Sequence, residues 1–503
     1  MDQQVSLPTA GPAARRGGLV PFLLRLHFYA GVLVGPFLLI ATLTGGLYAI
    51  SPTLEQFVHR DQLRSGSTGP MLPVAEQIRA AMAVRSDLPV TAVRPATEPG
   101  ETTRVLFDDP ALGPSERHAV FIDPVTAAPR GELTVYGNSS ALPVRTWIDR
   151  LHRDLHLGEP GRVYSELAAS WLWVVALAGV VLWVNRFRRR RGDGARLLTI
   201  DRTSSGRSRT LNWHGAVGIW IAVGLLFLSA TGLSWSHFAG DNIAELRTAL
   251  HWTTPTVSKS LPADRDAQHT HPDPHGDHHF GAAAERGEAD PADPPFTQVD
   301  RVLAAARAAG VGGKVEVSIP ADRATAFTVT QTRQPWVLSN NAVAVDGTTG
   351  AITDVSWFAD WPLAAKLTAW GIQLHMGLLF GPANQVVLLG LAVALATVIV
   401  RGYLLWWRRR PTRGDGPAGR PPRRGVLRRL PVTGVLLVVA AAVLVGWSLP
   451  VLGVSLLAFV VVDVLVGWWQ RRRGAVGASV GEGPGLDDLA GDGDRAGQQQ
   501  ARG

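Results

Sequence analysis

The chain has 503 residues, 49 Lys and Arg against 41 Asp and Glu, and no cysteine. Without thiols there are no disulfides, iron–sulfur clusters, thiolate metal sites or haem attached through Cys-x-x-Cys-His, so any metal or haem rests on His, Met or oxygen donors. The net charge of +8 does not signal nucleic acid: the arginines cluster beside apolar runs of membrane-spanning length, where topology determinants sit.

In chain order, polar residues 1–25 read as a cytoplasmic tail. Six spans follow, at 26–50, 164–185, 212–236, 383–407, 432–449 and 451–469. The first lacks a small-residue cleavage site and is kept as a helix. The last two form a tight hairpin about Ser448-Leu449-Pro450. Basic loops at 186–211 and 408–431, with arginines 471–473 after the last span, place those segments and both termini on the cytoplasmic side of a bacterial inner membrane. The Gly- and Asp-rich tail 474–503 reads as disordered.

Two long segments, 51–163 and 237–382, then face outward. Each moves from helical period to period-two alternation. The first predicts a helix over 74–84, strands at 90–94, 102–107 and 118–122, and the turn Asp123-Pro124-Val125-Thr126. The second predicts a helix over 299–309, strands at 315–319, 326–330 and 342–345, and the turn Asp346-Gly347-Thr348-Thr349-Gly350. A helix on a small antiparallel sheet is the economical packing, so two small α+β domains are expected.

The chain repeats itself. Leu151–Trp183 (LHRDLHLGEPGR…GVVLW) returns from Leu374 as LHMGLLFGP…GYLLWW, with Gly179 and Gly402 each 27 residues after a histidine (179 − 152 and 402 − 375). His27 precedes Thr44-Gly45 as His214 precedes Thr231-Gly232, both by 17 (44 − 27 and 231 − 214). Two copies in the same orientation imply a pseudo-twofold axis along the membrane normal. His27 and His214 become mates near the inner face, and His152 and His375 near the outer face. Two such pairs in a four-helix core suit two bis-imidazole b-type haems, since two imidazoles saturate haem iron for electron transfer. Gly31, Gly35, Gly45, Gly46, Gly215, Gly218, Gly224 and Gly232 supply room for a porphyrin. The plain alternative is four histidines at headgroup level that bind nothing.

His156, whose counterpart is Leu379, lies a turn beyond His152 and is a further candidate; His237 ends the third span. Arg25, Arg153 and Arg162 mark the interface or meet haem propionates. His269, His271, His275, His278 and His279 form a Pro- and Asp-rich stretch, either a linker or a weak zinc, copper or nickel site. Trp171, Trp173, Trp183, Trp406, Trp407, Trp468 and Trp469 read as interfacial or core aromatics.

With these motifs, His27…Thr44-Gly45, LHRDLHLGEPGR…GVVLW, WHGAVGIW…ATG and LHMGLLFGP…GYLLWW, the chain resembles the PepSY-associated transmembrane helix proteins over about 20–410; the strand-turns at 122–126 and 345–350 resemble the end of the PepSY domain. The last two spans and the His-rich stretch fall outside that core. Some members of the family resemble haem-containing ferric-siderophore reductases. The resemblance implies electrons entering from the cytoplasmic side and reducing an iron(III) chelate outside, with His152 and His375 serving the outer haem and His27 and His214 the inner. No Gly-rich βαβ signature occurs in a cytoplasmic loop, so the donor is an external quinol or a separate reductase. The rival class is a non-redox membrane protein whose outer domains bind a peptide, protease or envelope partner.

Overall fold

The computed structural model describes residues 20–189, 197–261, 294–408 and 432–479, with side chains to 469. The first half runs α1 (Val20–Leu33), α2 (Gly35–Val58), a short α3 (Arg60–Leu63), α4 (Val74–Val84), β1 (Val90–Arg94), β2 (Thr103–Phe107), β3 (Glu116–Ile122), β4 (Pro129–Tyr136), α5 (Pro143–Asp154) and α6 (Glu159–Arg189). The second runs α7 (Gly206–Leu233), α8 (Phe238–Ala249), α9 (Val299–Ala308), β5 (Val315–Ser318), β6 (Phe327–Gln331), β7 (Ala342–Val345), β8 (Ile352–Ser356), α10 (Leu363–His375) and α11 (Pro382–Trp407). A hairpin of α12 (Val432–Ser448) and α13 (Pro450–Ser479) follows.

Among the described residues, five helices are long and apolar enough to cross a membrane: α2, α6, α7, α11 and the Pro450–Trp469 stretch of α13. Helix α12, with 17 residues, is shorter. Helices α2, α6, α7 and α11 close a ring in which each packs on two others; α1 packs on α6 and also meets α2 and α11, and α13 packs on α6. The hairpin is fastened by the ion pair Arg25–Asp463 and by Trp171 Nε1 donating to Ser455 Oγ at 2.9 Å.

The apolar run 26–50 is not one helix. It breaks at Val34, and the spanning helix is α2, running to Val58. Pro36 has no N–H for the Val32 carbonyl. The Tyr403 hydroxyl donates to that carbonyl instead, at 2.8 Å. Gly35 permits the approach, since a Cβ there would lie 2.7 Å from the Tyr403 oxygen. Other helices outrun their expected ends: α6 begins at Glu159, and α13 continues to Ser479, into the stretch read as a disordered tail.

Segments 51–163 and 237–382 form one sheet rather than two separate ones. It has eight antiparallel strands in the order β4-β3-β2-β1-β5-β6-β7-β8. The halves meet at β1 and β5, where Val93 pairs Val317 and Ala92 pairs Ser318. Each half has four strands rather than three; β4 and β8, the additions, are the two edges. One face buries Val93, Val105, Val120, Val317, Val329 and Val343 under Ile78 of α4 and Val302 and Leu303 of α9. At 25 cal/mol per Å² of apolar surface, such side chains contribute about 1.5–3 kcal/mol each. The helices cross-brace the seam: the Asp300 carboxylate on α9 accepts from the Val74 and Ala75 N–H groups that open α4, at 2.8 and 3.0 Å. On the other face Glu316 accepts from Arg94 Nε at 2.6 Å and from Arg117 Nη1 at 3.1 Å. Burial opposes ionisation there, but the two guanidiniums outweigh it and hold the Glu316 carboxyl at about 2.

Candidate functional site

The four repeated histidines lie inside the helix ring, and all four rings are held in the same way. His27 on α1 faces Gly179 of α6, and His214 on α7 faces Gly402 of α11; Cβ atoms at these glycines would lie 3.1 and 3.6 Å from the respective Cε1 atoms. His27 Nδ1 is 3.0 Å from the Val175 carbonyl oxygen, and His214 Nδ1 is 2.9 Å from that of Val398. Towards the sheet, His152 on α5 faces Gly45 of α2, and His375 on α10 faces Gly232 of α7. Here Nδ1 meets a hydroxyl: Thr44 Oγ1 at 3.0 Å for His152, Thr231 Oγ1 at 2.6 Å for His375.

These contacts fix the proton. A carbonyl oxygen only accepts, so Nδ1 of His27 and His214 carries the hydrogen. Thr44 already donates to the Ile40 carbonyl at 2.9 Å, and Thr231 to that of Phe227 at 2.8 Å. With that proton given to the helix, the threonine oxygens accept Nδ1–H of His152 and His375, the arrangement that matches the first two rings. In all four rings Nε2 therefore carries the lone pair, the arrangement that an Nδ1 hydrogen bond sets in metal-ligating histidines. Among the described residues, none is hydrogen-bonded to any of these Nε2 atoms. Each ring keeps some accessible surface within the bundle.

The pair farther from the sheet is close. The His27 and His214 ring centres are 6.1 Å apart with planes at 79°. Two imidazoles on opposite sides of one first-row metal, at bonds of about 2 Å, have ring centres about 6 Å apart. His152 lies near enough to act electrostatically on His375. Tyr48 stacks on His152 at 6.1 Å and Trp235 packs edge-on to His375 at 5.7 Å. Among the described residues no group of three or more His, Asp or Glu converges on a metal-sized point.

A family model described as the PepSY-associated TM region matches residues 24–409. The chain belongs to the PepSY-associated transmembrane family. It is a membrane protein of that family, and the match ends before α12 and α13. A search of curated proteins returned no match.

Other residues singled out in this PepSY-associated chain fall elsewhere. His156 is not a turn beyond His152: α5 ends at Asp154, Leu155 and His156 have φ of 54° and 57°, and the exposed His156 ring packs on Trp147 at 5.1 Å. His237 precedes α8 and packs on Phe238 at 4.6 Å. Arg25 pairs with Asp463, Arg153 donates to the Tyr136 hydroxyl at 2.7 Å, and Arg162 lies 3.6 Å from Glu159. Gly215 makes room for Trp183 and Gly224 for Leu391, rather than for a histidine ring. The stretch His269–His279 lies outside the described residues. Thr44 and Thr231 stood in the repeat only as spacing marks; their shared 17-residue offset from a histidine was the one available sign of their role. The Val175 and Val398 carbonyls carry no side-chain signal at all.

Proposed function

We propose that this chain carries electrons across the membrane through two b-type haems and reduces an iron(III) chelate or siderophore at its outer face, in iron uptake. His27 and His214 hold the inner haem, and His152 and His375 the outer. The observation that carries this reading is the common setting of the four rings, with Nδ1 engaged in a hydrogen bond, Cε1 facing a glycine and Nε2 without a partner among the described residues. Two imidazole donors give haem iron a saturated shell that gains and loses one electron. The residues around it set the tautomer, hold the ring planes and, through the glycines, keep side chains off the rings. Iron(III) accepts one electron per turnover, and the product is held less tightly by hard oxygen ligands. That electron comes from an external quinol or a separate reductase.

The reading includes six crossings, with α12 as the fifth, both termini on the cytoplasmic side and the sheet outside as a fused pair of PepSY-like units. His269, His271, His275, His278 and His279 are at most an accessory zinc, copper or nickel site.

The test is a reduced-minus-oxidised absorption spectrum of the purified protein with a pyridine haemochrome count. About two b-type haems per chain are expected, with one lost in His214→Ala and the other in His375→Ala. Protein made under haem-sufficient conditions yet free of haem overturns the reading. It would turn attention to the sheet as a binding surface for a peptide, protease or envelope partner.

A further inference from the structure

The two copies differ sharply at one place, the junction of α2, α5 and the sheet beside His152. In the first copy α2 presents Tyr48, Ser51 and Glu55, one turn apart on one face, to α5 and its Arg145. The register of the repeat puts Trp235, Phe238, Asn242 and Thr368 at the equivalent positions of the second copy. The histidine, its threonine and its glycine are kept in both. Arg145 and the polar groups about it thus have no like residue at the aligned positions of the second copy, which instead brings Arg333 near Tyr48, so the histidine scaffold does not require them.

Arg145 is 4% exposed and lies close enough to Tyr48 to act on it electrostatically, and the Tyr48 ring stacks on His152. Its Nε and Nη2 atoms are buried with no partner, and so are Ser51 Oγ and Ser140 Oγ. Two adjacent guanidinium donors left open together form the fork that takes a carboxylate in two parallel hydrogen bonds. An unmatched buried donor destabilises the fold, so two on one side chain point to a ligand. Arg104 on β2 adds charge from above; burial and then the neighbouring Arg94 pull it down to about 10. Of the carboxylates acting on Arg145, Glu55 is held by the Leu142 N–H at 2.6 Å and Asp149 lies 3.9 Å from Arg153.

We propose that Arg145, with Ser51 and Tyr48, forms a carboxylate-binding subsite beside the outer histidine pair. The carboxylate has two chemical sources, the propionate edge of a porphyrin held by His152 and His375, or an acidic iron(III) chelate arriving from outside. The first source rests on the function proposed above; the second is tested without it.

The experiment uses the full chain, as wild type, Arg145→Gln and Arg145→Lys. Three things are measured: binding of iron(III) citrate and of a neutral iron(III) trihydroxamate, haem content, and the reduction potential of each haem. For a chelate carboxylate, Arg145→Gln weakens citrate binding by about tenfold or more, spares the trihydroxamate, and Arg145→Lys lies between. For a propionate, Arg145→Gln loses the outer haem or moves its potential negative, and citrate binding does not change. Folded Arg145→Gln with unaltered citrate binding, haem content and potentials overturns the proposal. If Arg145→Gln does not fold, Arg145→Lys decides: wild-type values on all three measures overturn it. Absence of haem in the wild type defeats the electron-carrier reading alone, and the citrate measurement still decides the subsite.

Discussion

A threonine hydroxyl that donates into its own helix leaves its oxygen to accept from an imidazole, the arrangement that frees Nε2 of His152 and His375. Thr231→Val removes that acceptor without changing the volume much. We expect roughly tenfold or faster loss of haem to an acceptor globin, as for other residues that orient a metal-binding histidine, with Thr231→Ser close to wild type. The glycines facing the rings differ in tolerance. At Gly179 a Cβ would already sit 3.1 Å from His27 Cε1, whereas at Gly402 it would sit 3.6 Å from His214, an ordinary contact. Gly402→Ala should therefore keep both haems. Gly179→Val should lower inner haem alone, read from the haemochrome count and the two potentials.

At the scale of the element, what the sequence shows depends on whether the cause is local. The histidine, threonine and glycine spacings were legible because the same offsets recur in both copies, although only His214 and Thr231 lie on one helix, α7. The end of α5 was not, because Leu155 and His156 adopt left-handed backbone without a glycine to announce it. Strands β4 and β8 were missed because they are edges: the first four residues of β4 are exposed, so the alternation that marks a half-buried strand is absent. The break before α2 had its sign in Gly35-Pro36, but its partner, Tyr403, lies 367 residues on (403 − 36). That partnership makes a prediction. Tyr403→Phe strands the Val32 carbonyl and should cost about 1–3 kcal/mol in unfolding measured in detergent. In a Pro36→Ala background, where an N–H is restored, the same change should cost less. Equal costs in both backgrounds would mean that Tyr403 does not compensate for the proline.

For the whole molecule, the sheet seam is the joint between halves, and Glu316 ties β5 to β1 and β3 through Arg94 and Arg117. Its folded-state pKa of about 2 lies below the ordinary 4.5. The unfolded chain thus binds this proton more readily. The stabilisation is fully present above about pH 4.5 and is lost as pH falls through about 2. Glu316→Gln should flatten the acid limb of the stability curve between those values and lower stability at neutral pH, where the buried guanidiniums lose their counter-charge. An acid limb of unchanged slope, followed by circular dichroism of the sheet, would sink the assignment.

The seam also sets a timetable. Strand β1 ends at Arg94 and its partner β5 begins at Val315, 221 residues later (315 − 94). At synthesis rates of about 5–20 residues per second, β1 waits for its neighbour for roughly 10–40 seconds. During that interval the first four strands present an open edge, the template to which stray strands attach. Chaperone demand should therefore peak midway through translation, and truncation anywhere between the halves should yield an aggregating fragment rather than a smaller working unit.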